Sequence, residues 1–139
     1  MKKKSENSNN ADTPSLNIAV TVSGSAFSIH DLKCGNILNY DTAEGEILPT
    51  VIDWQDLKWL TEDPKGFNIV HSGIRLTEEM VEKLGFEVIQ EGWLGLRHFT
   101  WNVYDKGLRY NGQHLGEPDY VHELQNIYYC LTGVMLSLS

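Results

Sequence analysis

One stretch constrains this chain more than any other, Tyr120-Val-His-Glu-Leu-Gln-Asn-Ile-Tyr-Tyr-Cys-Leu-Thr-Gly133. Val121, Leu124, Ile127, Tyr128 and Leu131 recur at the 3.6-residue period and form a single apolar stripe, so the spacing predicts an amphipathic helix. Asp119 stands at the N-cap position behind Pro118, and Gly133 stands where a helix ends in a left-handed residue. Burying five such side chains at ~1.5–3 kcal/mol each is a gross gain of roughly 10 kcal/mol before entropy. That gain exists only if something covers the stripe, and the strands that precede it are the available cover.

With 139 residues, 41% of them hydrophobic and 22% charged, the chain reads as one globular domain rather than a disordered polymer. No apolar run approaches the ~20 residues of a membrane span. Lys2, Lys3 and Lys4 are followed by Ser-Glu-Asn-Ser-Asn-Asn, not by an apolar segment, so residues 1–15 are expected to form a disordered polar tail and 16–139 a single domain. Cys34 and Cys130 match no metal or disulfide spacing and are expected as buried or half-buried thiols in the cytoplasm. The net charge of −8 is concentrated between Asp41 and Glu91, where twelve acids face four bases. That sign argues against direct nucleic-acid or anionic-membrane binding and suits a basic partner, while also serving solubility.

In chain order, Leu16-Asn-Ile-Ala-Val-Thr-Val22 alternates as a strand does. Ile29–Asp41 is expected to enter a strand around Gly35, and Ile47–Asp53 a strand kept at a sheet edge by Pro49. Trp54–Leu60 is read as the opening of a curled, SH3-like sheet or barrel, Thr61–Gly66 as loop and Phe67–Val70 as a returning strand. A short helix follows, with Thr77 as cap, Leu76 and Val81 as its staple, and Gly85 with Phe86 as its terminator. Residues 93–103 alternate, Asp105-Lys-Gly107 and Asn111-Gly112 are turns, and three antiparallel strands are expected before the final helix. Val134–Leu136 is a candidate last strand. The fold class is therefore α+β: a curled N-terminal sheet, a short helix, an antiparallel meander and a C-terminal helix packed on it.

No nucleophile elbow, phosphate loop or dinucleotide fingerprint occurs, and the five histidines have no ligand spacing, so no catalytic residue, metal or cofactor is assigned. His122, Gln125, Asn126 and Tyr129 lie at i, i+3, i+4 and i+7, a polar-aromatic face away from the apolar stripe. This face is a candidate recognition surface, weighed against side chains that simply bond a neighbouring loop. Tyr104, Arg109 and Tyr110 flank the hairpin turns, where such residues commonly anchor interfaces.

Three pieces, Asp31-Leu-Lys-Cys-Gly-Asn-Ile37, Ile74-Arg-Leu-Thr-Glu-Glu79 with Leu84-Gly-Phe86, and the Tyr120–Gly133 stretch, together resemble a family of small uncharacterised proteins of gut bacteria and their phages and prophages. The resemblance spans roughly residues 30–136. Arg75 departs from the proline that the family tends to carry, and residues 1–29 look like an extension. The resemblance implies a phage or mobile-element setting inside a bacterial cell and supplies no catalytic residue. The expected function is a non-enzymatic protein-binding module with a protein target. Two alternatives stand beside it: an acidic, nucleic-acid-mimicking inhibitor of a host defence protein, and a small ligand-binding domain or enzyme with an unrecognised pocket.

Overall fold

A computed structural model of the chain describes residues 26–139; the tail and the strand expected over Leu16–Val22 lie outside the described residues. The described residues form two antiparallel sheets. The first has strand order β2-β1-β3, with β1 at Ile37–Asp41, β2 at Ile47–Val51 and β3 at His71–Gly73. Pro49 sits on β2 at the edge, as its missing donor requires.

Between β2 and β3 the expectation of a curled SH3-like sheet is corrected. Two helices occupy the span, α1 at Trp54–Glu62 and α2 at Pro64–Val70. Their causes are local. The Asp53 carboxylate accepts the Asp56 N–H at 3.0 Å and the Asp56 carboxylate accepts the Asp53 N–H at 3.0 Å, a reciprocal capping box. Asp63 caps α2 by accepting the Gly66 N–H at 3.1 Å, with Pro64 in the first turn where its missing N–H costs nothing. The aromatic residues Trp54, Trp59 and Phe67 suggest strand, and two aspartate caps set helix instead. Leu60 and Phe67 from these helices close a core with Leu32, Leu38 and Ile52.

The second sheet runs β4-β5-β6-β7-β8: Glu87–Gln90, Trp93–Leu96, Phe99–Asn102, Leu108–Tyr110 and Gln113–Gly116. It is a meander of five strands rather than three. The alternation over 93–103 conceals a two-residue hairpin at Arg97-His98, after which Leu94 pairs with Trp101 and Leu96 with Phe99. Because the loop has two residues, the inward set switches from even to odd positions across it. Asn111 (φ 51) and Gly112 (φ 82) form the expected primed turn between β7 and β8.

Helix α3, Glu78–Lys83, ends as its sequence predicts: Gly85 is left-handed, its N–H bonds the Glu82 carbonyl at 2.9 Å, and the Phe86 N–H reaches the Val81 carbonyl at 3.2 Å. Helix α4, Val121–Thr132, ends at left-handed Gly133. Its N-cap is Tyr120 and not Asp119, since Tyr120 is held extended by a bridge to Arg75. The Glu123 carboxylate then folds back to accept the N–H groups of Asp119 (2.8 Å) and Tyr120 (3.2 Å). Val121, Leu124 and Tyr128 are buried against Leu94, Phe99, Trp101 and Leu108.

The buried arc of α4 is broader than, and rotated from, the predicted stripe. His122 and Gln125 are buried with it, Ile127 is half-buried and Leu131 is 47% exposed. The helix is wedged between the two cores, so its interior side also faces the first sheet. No strand forms over Val134–Leu136; the Leu136 carbonyl is taken instead by the Gln125 amide at 2.7 Å. Cys34 and Cys130 are both free and exposed, which corrects their expected burial.

Candidate functional site

Among the described residues, the five-stranded sheet has one covered face and one open face. Pairing places Leu94, Phe99, Trp101 and Leu108 on the side packed by α3 and α4. Trp93, Gly95, Thr100, Arg109 and His114 therefore lie on the other, and none of them belongs to either hydrophobic cluster. The register shift between Val88 and Gln90 redirects Ile89 over Gly95, where a Cβ would stand 3.3 Å from the Ile89 side chain. Ile89 is left 59% exposed at the sheet edge.

At one end of this face the β6–β7 turn builds a fixed aromatic and cationic cluster. The Asn102 side chain starts the turn by accepting the N–H groups of Tyr104 and Asp105, both at 2.9 Å. Lys106 takes the left-handed position (φ 61), with its ammonium 5.7 Å from the centre of the Trp101 ring. Asp105 accepts the Gly107 N–H at 2.7 Å and a guanidinium N–H of Arg109 at 3.0 Å. The Arg109 bond, then the Gly107 N–H, hold the Asp105 carboxyl below the ordinary range. Held this way, Arg109 lies over the Trp93 ring at 4.9 Å. Tyr104 is 73% exposed but not loose: it lies on Gly92, where a Cβ would come within 2.6 Å of its ring. Gly92 thus serves twice, turning the chain at φ +84 and seating the tyrosine.

Of the residues singled out in sequence, Tyr104 and Arg109 meet in this cluster. Tyr110 does not, because it points to the helix side, where it packs on Phe99 at 4.8 Å and on His98 at 6.1 Å. The polar-aromatic face of α4 is corrected as a recognition surface. Gln125 is fully buried: its carbonyl accepts the Ile37 N–H at 2.9 Å and its amide donates to the Gly35 and Leu136 carbonyls. Asn126 donates to the Asp31 carbonyl at 3.0 Å and accepts from the Asn36 amide at 2.9 Å. Their donors and acceptors are consumed by residues 31–37, the loop and strand that α4 must hold, and by Leu136. Tyr129, 41% exposed, is the one member of the set left at the surface. Trp93 and Gly92, the two partners that organise the cluster, carry no signal along the sequence, because the stack depends on strand register.

His122 is buried between the Tyr120 ring (5.7 Å, stacked) and the Phe27 ring (5.3 Å, edge-on), and among the described residues its Nδ1 has no partner. Burial lowers its pKa below 6.5, against the opposing pull of Glu123 and Asp31. The folded state therefore holds His122 neutral, while the unfolded chain takes up a proton below pH 6.5. This contribution to stability is complete above that pKa, declines as the pH drops below it, and is gone below the folded-state pKa. Denaturant titrations at about pH 7 and pH 5 should show this loss in the native protein and a smaller one in His122→Phe. An unchanged pH dependence in the variant would remove His122 as its source.

The acids of the 41–91 stretch do not converge on one site. Asp53, Asp56 and Asp63 cap helices, and Glu78 and Glu79 occupy the first turn of α3, where the helix dipole favours negative charge. No protein-family model matches the chain, and no curated protein or solved structure matches it.

Proposed function

We propose that the protein is a non-enzymatic binding module that engages another protein through the open face of the five-stranded sheet, with Tyr104, Trp93 and Arg109 as its anchor. The observation that carries this reading is the fixed geometry of the anchor: an exposed tyrosine seated on glycine beside an arginine locked to Asp105 over tryptophan. Tyrosine, tryptophan and arginine are the residues that concentrate binding energy at interfaces, and side chains already ordered lose little entropy on association. Glu87, Glu91, Asp105 and Glu117 stand on or beside the same sheet, so a partner with a basic rim is the electrostatic complement. The bacterial cytoplasm and the phage or mobile-element setting belong to the same proposal and rest on the resemblance of residues 30–136.

Affinity capture of the tagged protein from bacterial lysate, at low and high salt with mass-spectrometric readout, tests the reading. One partner retained at both salts is the expected outcome; retention at low salt alone would favour the acidic-mimic alternative. With that partner in hand, Tyr104→Ala and Arg109→Ala should each weaken binding by about 2 kcal/mol, roughly thirtyfold. Undiminished binding by both variants would move the interface off this face.

A further inference from the structure

Among the described residues, strand β2 has a neighbour on one side only, since the first sheet runs β2-β1-β3. At the two ends of β2 the Thr42 N–H bonds the Glu46 carbonyl and the Ile52 N–H bonds the Asn36 carbonyl, each at 2.8 Å. Main-chain groups alternate along an antiparallel ladder. Positions 46, 48, 50 and 52 therefore turn theirs toward β1, and positions 47, 49 and 51 turn theirs outward. Ile47 and Val51 each present an N–H and a carbonyl on that side, and Pro49 presents a carbonyl alone. The proline takes nothing from the ladder with β1, and the groups around it are free to bond a further strand.

The side chains along this edge are apolar. Register places Ile47, Pro49 and Val51 on one face with Ile37, and Ile47 is 63% and Val51 62% exposed. The C-terminal residues 135–138 face them across a groove of about 360 Å³. Ile37 and Leu136 are its buried floor, while exposed Pro49 and Val51 and half-buried Met135 and Leu138 line its sides. The charge around the edge has one sign. Residues 37–57 carry Asp41, Glu44, Glu46, Asp53 and Asp56 and no lysine or arginine. Asp41, Glu44 and Glu46 lie at one end of β2, and Asp53 and Asp56 at the other.

We infer that the edge of β2 is a docking site for an extended peptide of another protein, which adds to the sheet as a fourth strand. The peptide has apolar side chains at alternate positions and basic residues at its two ends. In strand addition the main chain supplies affinity and alternate side chains supply specificity. Residues directly opposite one another share a face. Peptide side chains opposite Ile47, Pro49 and Val51 therefore extend that apolar face and reach the groove past the short proline ring. The basic ends meet acids of opposite sign. Pro49 limits indiscriminate pairing, because a carbonyl placed opposite it finds no donor. This edge belongs to the other sheet from the Tyr104 anchor, so neither reading depends on the other.

The test is NMR titration of the full chain with the capped peptide acetyl-Lys-Val-Thr-Val-Thr-Val-Lys-amide. It should bind with a dissociation constant below about 1 mM and slow hydrogen exchange of the Ile47 and Val51 amides about tenfold at saturation. Two control peptides, one with glutamate for both lysines and one N-methylated at its first valine, should each bind about tenfold more weakly. Val51→Pro removes an outward N–H and leaves the ladder with β1 intact. It should keep the native melting temperature and lose about tenfold in affinity. Ile47→Lys, at an exposed side chain, repeats the comparison through charge and should weaken binding similarly. Absence of binding at about 1 mM peptide, equal binding of both control peptides, or undiminished affinity in both variants would overturn the site. So would slow exchange of the Ile47 and Val51 amides in the protein alone, since this chain's own N-terminal residues or a second copy would then cover the edge.

Discussion

Replacing Gln125 with leucine should destabilise the protein by about 4 kcal/mol, although leucine fits the volume and belongs in a core. The amide of Gln125 sits at zero exposure and satisfies three backbone groups from two distant segments: the Ile37 N–H at 2.9 Å, the Gly35 carbonyl at 3.0 Å and the Leu136 carbonyl at 2.7 Å. Leucine would leave all three without partners in a site that water does not reach, at ~1–3 kcal/mol each, with part recovered by the added apolar contact. Urea titration gives the loss directly, provided the slope is unchanged. Faster hydrogen exchange at the Ile37 amide should accompany it, because β1 loses its tie to α4. A loss under about 1 kcal/mol would mean that the amide does not join the two halves.

Leu124→Ala should cost ~2–5 kcal/mol, whereas Leu131→Ala, one heptad further along the same helix, should cost less than about 0.5 kcal/mol. In the sequence these two leucines are equivalent members of one stripe. In the fold Leu124 is fully buried among the residues of the larger core, and Leu131 is 47% exposed. Truncating Leu124 opens a cavity in packed surroundings, and truncating Leu131 removes atoms already in contact with water. Equal losses at the two positions would return α4 to the orientation that its periodicity alone predicts.

Elements whose causes lie within a few residues were legible. Thr77, Gly85 and Phe86 define α3 at both ends, Asn111-Gly112 defines its hairpin, Pro49 marks an edge, and Gly133 ends α4. Helices α1 and α2 were equally local in cause. The signals were present as Asp53 with Asp56 and as Asp63-Pro64, but the β-rich composition of 47–70 hid them. The switch of inward positions at Arg97-His98 was not legible, because Trp93 beside Leu94 and Leu96 makes both parities apolar before the loop, so the change of phase leaves no visible break.

The candidate site divides in the same way. Tyr104 and Arg109 could be picked out as aromatic and cationic residues at turn signals. Their order could not, since it depends on Gly92 reaching Tyr104 across the β5–β6 register and on Trp93 lying diagonal to Arg109. Gln125 and Asn126 looked available for recognition because a helical face shows its chemistry but not its neighbour. The partners of Gln125 at Ile37 and Gly35, at and just before the start of β1, lie 88 and 90 positions earlier in the chain.

By itself, then, the sequence determined the α+β class, the caps and turns, and the existence of a helix that had to be covered. These follow from backbone sterics and from hydrogen bonds that close within one turn. Only the tertiary structure decided which polar side chains face inward, which sheet face stays open and which segment lies beside the edge of β2. Those depend on strand register and on which two surfaces meet, and both are set by contacts between segments that are far apart along the chain.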